Sequence, residues 1–144
     1  MKVKDCMTKH VICVSQTEPL SVAARLMARY NIGVLPVRRL DGRICGMLTD
    51  RDLVLRCMAP GKQADALSVQ DVMSNRVISV SPQTPLVRAV ALMKQEQVRR
   101  LPVVEDGRVV GLLSLGDLTH FEQYAMEAAE CLEGICSGLH RLQE

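Results

Sequence analysis

Aromatic residues are nearly missing from this chain: two tyrosines, one phenylalanine and no tryptophan in 144 residues. Single-stranded nucleic acid is usually gripped by stacking its bases on aromatic rings, so so few rings argue against that partner. Charge of one sign is equally scarce. Eighteen Lys and Arg against sixteen Asp and Glu leave a formal net charge of +2, too little to point to nucleic acid or an anionic membrane surface. No apolar run approaches the roughly 18 residues that span a bilayer. The start, Met1-Lys2-Val3-Lys4-Asp5, has no apolar stretch behind its lysines, so no signal peptide is read there. These absences lead us to expect a cytoplasmic chain with neither a nucleic-acid nor a membrane partner.

Cysteine is present without the spacing that gives it chemistry. Cys6, Cys13, Cys45, Cys57, Cys131 and Cys136 form no Cys-x-x-Cys pair, and small buried hydrophobes are the expected role. Cys6 and His10 are four apart, but no second pair completes a metal site, and His120 and His140 stand alone. No metal or catalytic cofactor is therefore expected. Serine–histidine–aspartate or cysteine–histidine pairings and a Gly-x-x-x-x-Gly-Lys phosphate loop are also not legible, and no enzyme is expected.

What the chain does have is a repeat. Asp5-Cys6-Met7-Thr8, Val11-Ile12-Cys13-Val14-Ser15 and Pro19-Leu20 return as Asp71-Val72-Met73-Ser74, Val77-Ile78-Ser79-Val80-Ser81 and Pro85-Leu86. Leu35-Pro36-Val37 returns as Leu101-Pro102-Val103. One residue then drops out, and Gly46-Met47-Leu48-Thr49-Asp50-Arg51-Asp52-Leu53 matches Gly111-Leu112-Leu113-Ser114-Leu115-Gly116-Asp117-Leu118. A copy of about 60 residues is marginal alone, so the two are expected to pack as one module with ligand clefts between pseudo-symmetric halves.

Each copy reads strand, helix, strand, strand, helix, giving an α/β (α+β) class. The first strands are expected at Val11–Val14 and Val77–Val80. Leu20, Ala23, Ala24 and Met27, and in the second copy Leu86, Ala89, Val90 and Met93, recur at helical spacing. Asp41-Gly42 and Asp106-Gly107 suit tight hairpins. We place the first repeat at residues 1–60, a Pro-Gly linker at 61–70, the second repeat at 71–122 and a helical tail at 123–144. In the tail Phe121, Tyr124, Ala125, Ala128, Leu132, Ile135, Leu139 and Leu142 form an apolar stripe, suited either to a subunit contact or to packing on its own domain. Gly134 and Gly138 weaken the case for one unbroken helix.

The pattern that carries chemistry is Gly-h-h-(Thr/Ser)-x-x-Asp, where h is apolar. As structure it is a helix start, with Thr49 or Ser114 as N-cap and Asp52 or Asp117 three residues on. As a site it gathers a hydroxyl, backbone N–H groups and a carboxylate whose two oxygens match a ribose diol. Both readings fit. Arg99 and Arg100 precede the last strand pair of the second copy, where the first has Gly33 and Val34. Paired guanidinium forks suit phosphate, and a solvated surface suits them equally.

At these residues the chain resembles a tandem pair of cystathionine-β-synthase (CBS) domains, the Bateman module, over about residues 3–122. It looks most like small bacterial stand-alone proteins made only of such a pair. The resemblance implies adenosine-containing ligands (AMP, ADP, ATP or S-adenosylmethionine), bound by a regulatory protein without catalysis. It implies ribose contacts from Thr49 with Asp52 and from Ser114 with Asp117, the hydroxyls being open to phosphate as well, and phosphate contacts from Arg99 and Arg100 with help from Arg51. Val11-Ile12 and Val77-Ile78 would flank the base, and Val34-Leu35-Pro36 and Leu101-Pro102 would line the pockets. A homodimer signalling to an effector protein is implied too. The competing reading is a structural or interaction module whose pockets stay empty.

Overall fold

The computed structural model describes residues 1–143, with side chains described for all of them except residues 122, 123, 127 and 136–143. The chain divides into two compact units, and the division does not follow the order of the repeats. One unit is Ile12–Val77; the other combines Met1–Val11 with residues from Ile78 onward.

In the Ile12–Val77 unit, β1 (Val14–Ser15), α1 (Leu20–Tyr30), β2 (Val34–Arg38), β3 (Ile44–Thr49) and α2 (Asp50–Leu53) follow in order, and α2 runs on into a π-helical turn, Val54–Met58. The sheet order is β1-β2-β3, with β1 parallel and β3 antiparallel to β2. Pro36 is tolerated in this central strand because the ladder with β1 begins only at Val37, so no donor is missing there. Leu20, Ala23 and Met27 bury one face of α1 beneath Leu35, Val37 and Leu48.

The second unit repeats the plan with α3 (Leu86–Glu96), β4 (Arg100–Glu105), β5 (Arg108–Ser114) and α4 (Leu115–Leu118), and adds α5 (Glu122–Gln143). Leu86, Ala89, Val90 and Met93 pack with Leu101, Val103 and Leu113. Asn31 and Gln97 end α1 and α3 in the left-handed region, at φ 53° and 58°, closing the helices as such C-caps do.

Three expectations change. The Val11–Val14 strand shrinks to Val14–Ser15, and Val77–Val80 reduces to one parallel bridge from Val80 to Val103. The reason is that the chain passes from one unit to the other at Val11–Ile12 and at Val77–Ile78, so these apolar residues have no ladder to join. The hairpin turns also differ. Asp106-Gly107 is a two-residue turn with positive φ at both positions, whereas the first copy's extra residue makes a longer loop from Arg39 to Arg43 around Gly42. Lastly, α5 is one unbroken helix despite Gly134 and Gly138. It lies against α3 and α4 with Ala128 and Cys131 in the core and Tyr124 and Ile135 beside it, while Leu132 is largely exposed. Its own unit thus covers the described part of the stripe apart from Leu132; the Leu139, Leu142, His140 and Cys136 side chains lie outside the described residues.

The described cysteines form no disulfide, and Cys57 and Cys131 are buried. Burial pushes the Cys6, Cys13, Cys45 and Cys131 thiols up from their ordinary pKa, which favours the thiol over the thiolate.

The lead-in of each repeat completes the body of the other. Val3 is fully buried in the core built by α3, β4 and β5, and its N–H donates to the Thr84 carbonyl. Thr8 then exchanges both backbone hydrogen bonds with Leu112 on β5, each 2.9 Å. Val69 and Ser74 do the same in the other unit, with Glu18 and with Met47 on β3. Asp5 and Asp71 close these lead-ins by accepting from the Lys2 and Ser68 N–H groups at 2.8 Å. The Ser68 bonds, backbone first, hold the Asp71 carboxyl below its ordinary pKa.

Glycine is what lets the lead-ins approach. A Cβ on Gly46 would stand 2.6 Å from the Met73 sulfur and 2.7 Å from the Ser74 carbonyl oxygen. One on Gly111 would stand 2.5 Å from the Met7 sulfur and 3.0 Å from the Thr8 carbonyl oxygen. At Gly116 the nearest atom is 3.5 Å away. Gly46→Ala and Gly111→Ala should therefore each cost about 1–3 kcal/mol through overpacking. Gly116→Ala should be neutral or gain up to about 1 kcal/mol from helix propensity. Urea midpoints measured on the three variants check this.

Candidate functional site

In each unit a strand ends in a hydroxyl residue that also starts a helix. Thr49, extended at φ −117° and ψ 160°, accepts the Asp52 N–H at 3.2 Å on its Oγ1, and its own N–H donates to Asp52 Oδ2 at 2.9 Å. Ser114, at φ −118° and ψ 160°, does the same with Asp117, at 3.2 and 2.8 Å. Both are reciprocal capping boxes. The structural reading of the motif is thus fulfilled twice, and it fixes hydroxyl and carboxylate side by side. In each Asp, Oδ1 is the oxygen that the cap amide leaves over.

The two junctions differ in charge. Asp52 Oδ1 lies 3.9 Å from Arg56 Nε, and the carboxylate is mostly covered. Arg56 Nη1 also donates to the Val72 carbonyl at 2.9 Å and the Met73 carbonyl at 3.3 Å. One guanidinium thereby ties the lead-in segment to the helix that carries Asp52. At the corresponding place the second copy has Phe121, and no ion pair to Asp117 occurs among the described residues. Sequence inspection missed Arg56. It falls just beyond the matched motif, and only its absence from the second copy marks it.

The remaining candidates fall into two sets. With Thr49 and Asp52 in the first-described unit are Arg51, Val34, Leu35, Pro36, Ile12 and Val77. Val34 stands opposite Thr49 across the β2–β3 ladder, and Arg51 is exposed. With Ser114 and Asp117 are Arg99, Arg100, Leu101, Pro102, Val11 and Ile78. Arg100 stands opposite Ser114, so the two side chains share one face with Cβ atoms about 5 Å apart. Arg99 is exposed, and its carbonyl accepts the Leu115 N–H at 3.0 Å. Ile12 and Ile78 are half-buried against their own cores.

Leu35 and Leu101 are placed differently from the expectation. Both are fully buried in the cores; alternation along the strand turns them away from the face that Val34 and Arg100 share with the caps. They support the site strands and offer a ligand no surface. Pro36 and Pro102 are buried as well.

A model of the CBS domain matches residues 3–58 and again residues 69–124. The chain belongs to the CBS domain family. It is 41% identical over 133 residues to the CBS domain-containing protein YhcV of Bacillus subtilis, spanning 92% of this chain and 94% of that protein. It is 32% identical over 135 residues to Hypoxic response protein 1 of Mycobacterium tuberculosis, spanning 93% of each. The crystal structure of Hypoxic Response Protein I, described with two coordinated zinc ions, superposes with a TM-score of 0.76 over 83% of this chain and 98% of that one, at 32% identity. The CBS domain pair of protein MJ0100, in complex with 5′-methylthioadenosine and S-adenosyl-L-methionine, superposes with a TM-score of 0.73 at 26% identity, over 83% and 98%. Among the described residues of this chain no group of three or more His, Cys, Asp or Glu is placed to hold a metal ion, and no helix is long and apolar enough to cross a membrane.

Arg56→Met should cost the Ile12–Val77 unit about 1–2 kcal/mol, because two part-buried carbonyls lose a charged donor and Asp52 its counter-charge. Arg56→Lys should recover only part of this, since an ammonium lacks the planar fork that reaches both carbonyls and the carboxylate. Urea unfolding of the two variants measures the difference.

Proposed function

We propose that this CBS-pair protein is a non-catalytic sensor of adenosine-containing ligands, one held at the strand–helix junction of each unit. The observation that carries the reading is the capping box itself. Twice, it fixes a hydroxyl beside a carboxylate with one oxygen left over, the acceptor set that a ribose diol needs. The CBS pair of MJ0100, solved with two adenosine compounds, supports the same ligand class. Asp52 and Asp117 take the ribose. Thr49 and Ser114 hold the carboxylates in place, and Arg99 and Arg100 meet phosphate in the unit that carries them. Arg51 is their weaker counterpart in the other, a single arginine next to the Asp50 carboxylate. With so few aromatic rings, the base is held by aliphatic side chains such as Ile12 and Ile78 and by backbone groups, with Val11 and Val77 beside them.

The protein works as a homodimer that passes ligand occupancy to an effector protein in the cytoplasm. Occupancy acts by differential affinity for two states. The exposed Val54, Leu55 and Met58 side chains give that assembly an apolar face.

Asp117→Ala should weaken AMP or ATP by about 1–3 kcal/mol, the size of a lost charge-assisted contact. The cap lost with it costs about 1 kcal/mol of stability, so the protein stays folded. Calorimetric titration of parent and variant decides the assignment, and equal affinities would remove Asp117 from the site.

Arg99→Ala with Arg100→Ala should lower affinity for AMP far more than for adenosine, and added salt should shrink the parent's preference for AMP as it screens the charges. An unchanged ratio of the two dissociation constants would return these arginines to the surface. A parent protein that gives no thermal shift with any adenosine ligand would favour a module with empty pockets.

A further inference from the structure

The two junctions share the hydroxyl–carboxylate pair but carry opposite charge at one equivalent place. In the Ile12–Val77 unit, Asp50 follows the cap residue and its N–H donates to the Gly33 carbonyl at 3.0 Å. Its Oδ1 accepts the Arg51 N–H at 2.9 Å, and its Oδ2 occupies the space over Gly33, 2.9 Å from where a Cβ would stand. In the other unit the Leu115 N–H makes the same bond to the Arg99 carbonyl. Leu115 is buried, and Arg99 fills the place of Gly33. The Asp–Gly pair of one unit is thus a Leu–Arg pair in the other, joined by the same backbone bond. The glycine is part of the device, because any side chain there would displace the Asp50 carboxylate.

We propose that Asp50 is a specificity-determining residue. It makes the junction of its unit select an uncharged or cationic adenosine ligand, such as a thioether or sulfonium nucleoside, and disfavour phosphorylated ones, which go to the junction with Arg99 and Arg100. This rests on the reading that each junction holds a nucleoside. Asp50 flanks the cap hydroxyl and Gly33 precedes the strand residue opposite it, so a ribose substituent passes within a few ångströms of the carboxylate. A phosphate dianion is repelled there and a sulfonium centre attracted.

The test uses the full chain carrying Asp117→Ala, Arg99→Ala and Arg100→Ala, which removes the ribose and phosphate contacts assigned to the other junction. Affinities for AMP and S-adenosylmethionine are measured by calorimetry and each divided by that for uncharged 5′-methylthioadenosine. Asp50→Asn keeps an acceptor for the Arg51 N–H and removes only the charge. It should lower the ratio of the AMP to the S-adenosylmethionine dissociation constant about tenfold, because the two ligands respond in opposite directions to a lost negative charge. Gly33→Arg with Asp50→Leu, which copies the other unit's pair, should move the ratio further the same way. A ratio within about twofold of its starting value in both variants overturns the role of Asp50. A parent chain that binds 5′-methylthioadenosine at neither junction overturns the nucleoside reading, and the role of Asp50 with it; the two failures are separate observations.

Discussion

The backbone pairing of Thr8 with Leu112, and of Ser74 with Met47, is the constraint on which the rest of the structure depends. Each repeat body leaves the outer edge of its last strand unpaired, and open edges cost stability and invite aggregation. A lead-in bearing Met and Thr or Ser covers that edge. The methionine lies over a glycine, and the hydroxyl residue's backbone makes the two bonds. The same strands carry Thr49 and Ser114 at their ends, so whatever fixes the edge also fixes the start of the helix beyond it. Fold and candidate site share one support, and two glycines make it sterically possible.

On this shared frame the two units have diverged in charge. One binds its lead-in with Arg56, which also faces Asp52, and adds Asp50 over Gly33. The other replaces these with Phe121, Leu115 and Arg99, leaving Asp117 with no ion pair among the described residues. The frame tolerates such exchange because the capping box, not the flanking charge, holds each junction together. Substitution beside a rigid pair changes what the pair accepts while the pair itself stays put.

Much of this was legible in the chain. Apolar residues at three-and-four spacing marked the buried faces of α1 and α3, and the spacing from Thr49 to Asp52 and from Ser114 to Asp117 marked both caps. These are local signals, and local hydrogen bonds settle them. The route of the lead-ins was not legible. A repeat offset is identical whether Met7-Thr8 pairs with its own copy or the other, because sequence similarity does not record which edge is nearer. The Val11–Val14 strand failed for the same reason: an apolar run reads as a strand, but this one lies where the chain changes units. Leu35 and Leu101 were misplaced because a strand next to a site sends alternate residues into the core. Arg56 and Asp50 were overlooked because they occupy variable positions, and a comparison of copies rewards what is shared.

The trade of lead-ins also bears on ancestry. A single copy cut at its repeat boundaries would carry a lead-in that fits a body it lacks, and its own body would keep a bare edge. An ancestral gene encoding one repeat would therefore have yielded a complete fold only when two chains swapped their first residues. Fusing two such genes would then add no contact the paired chains had lacked. It would tether the partners, and from that moment each half would be free to acquire its own chemistry.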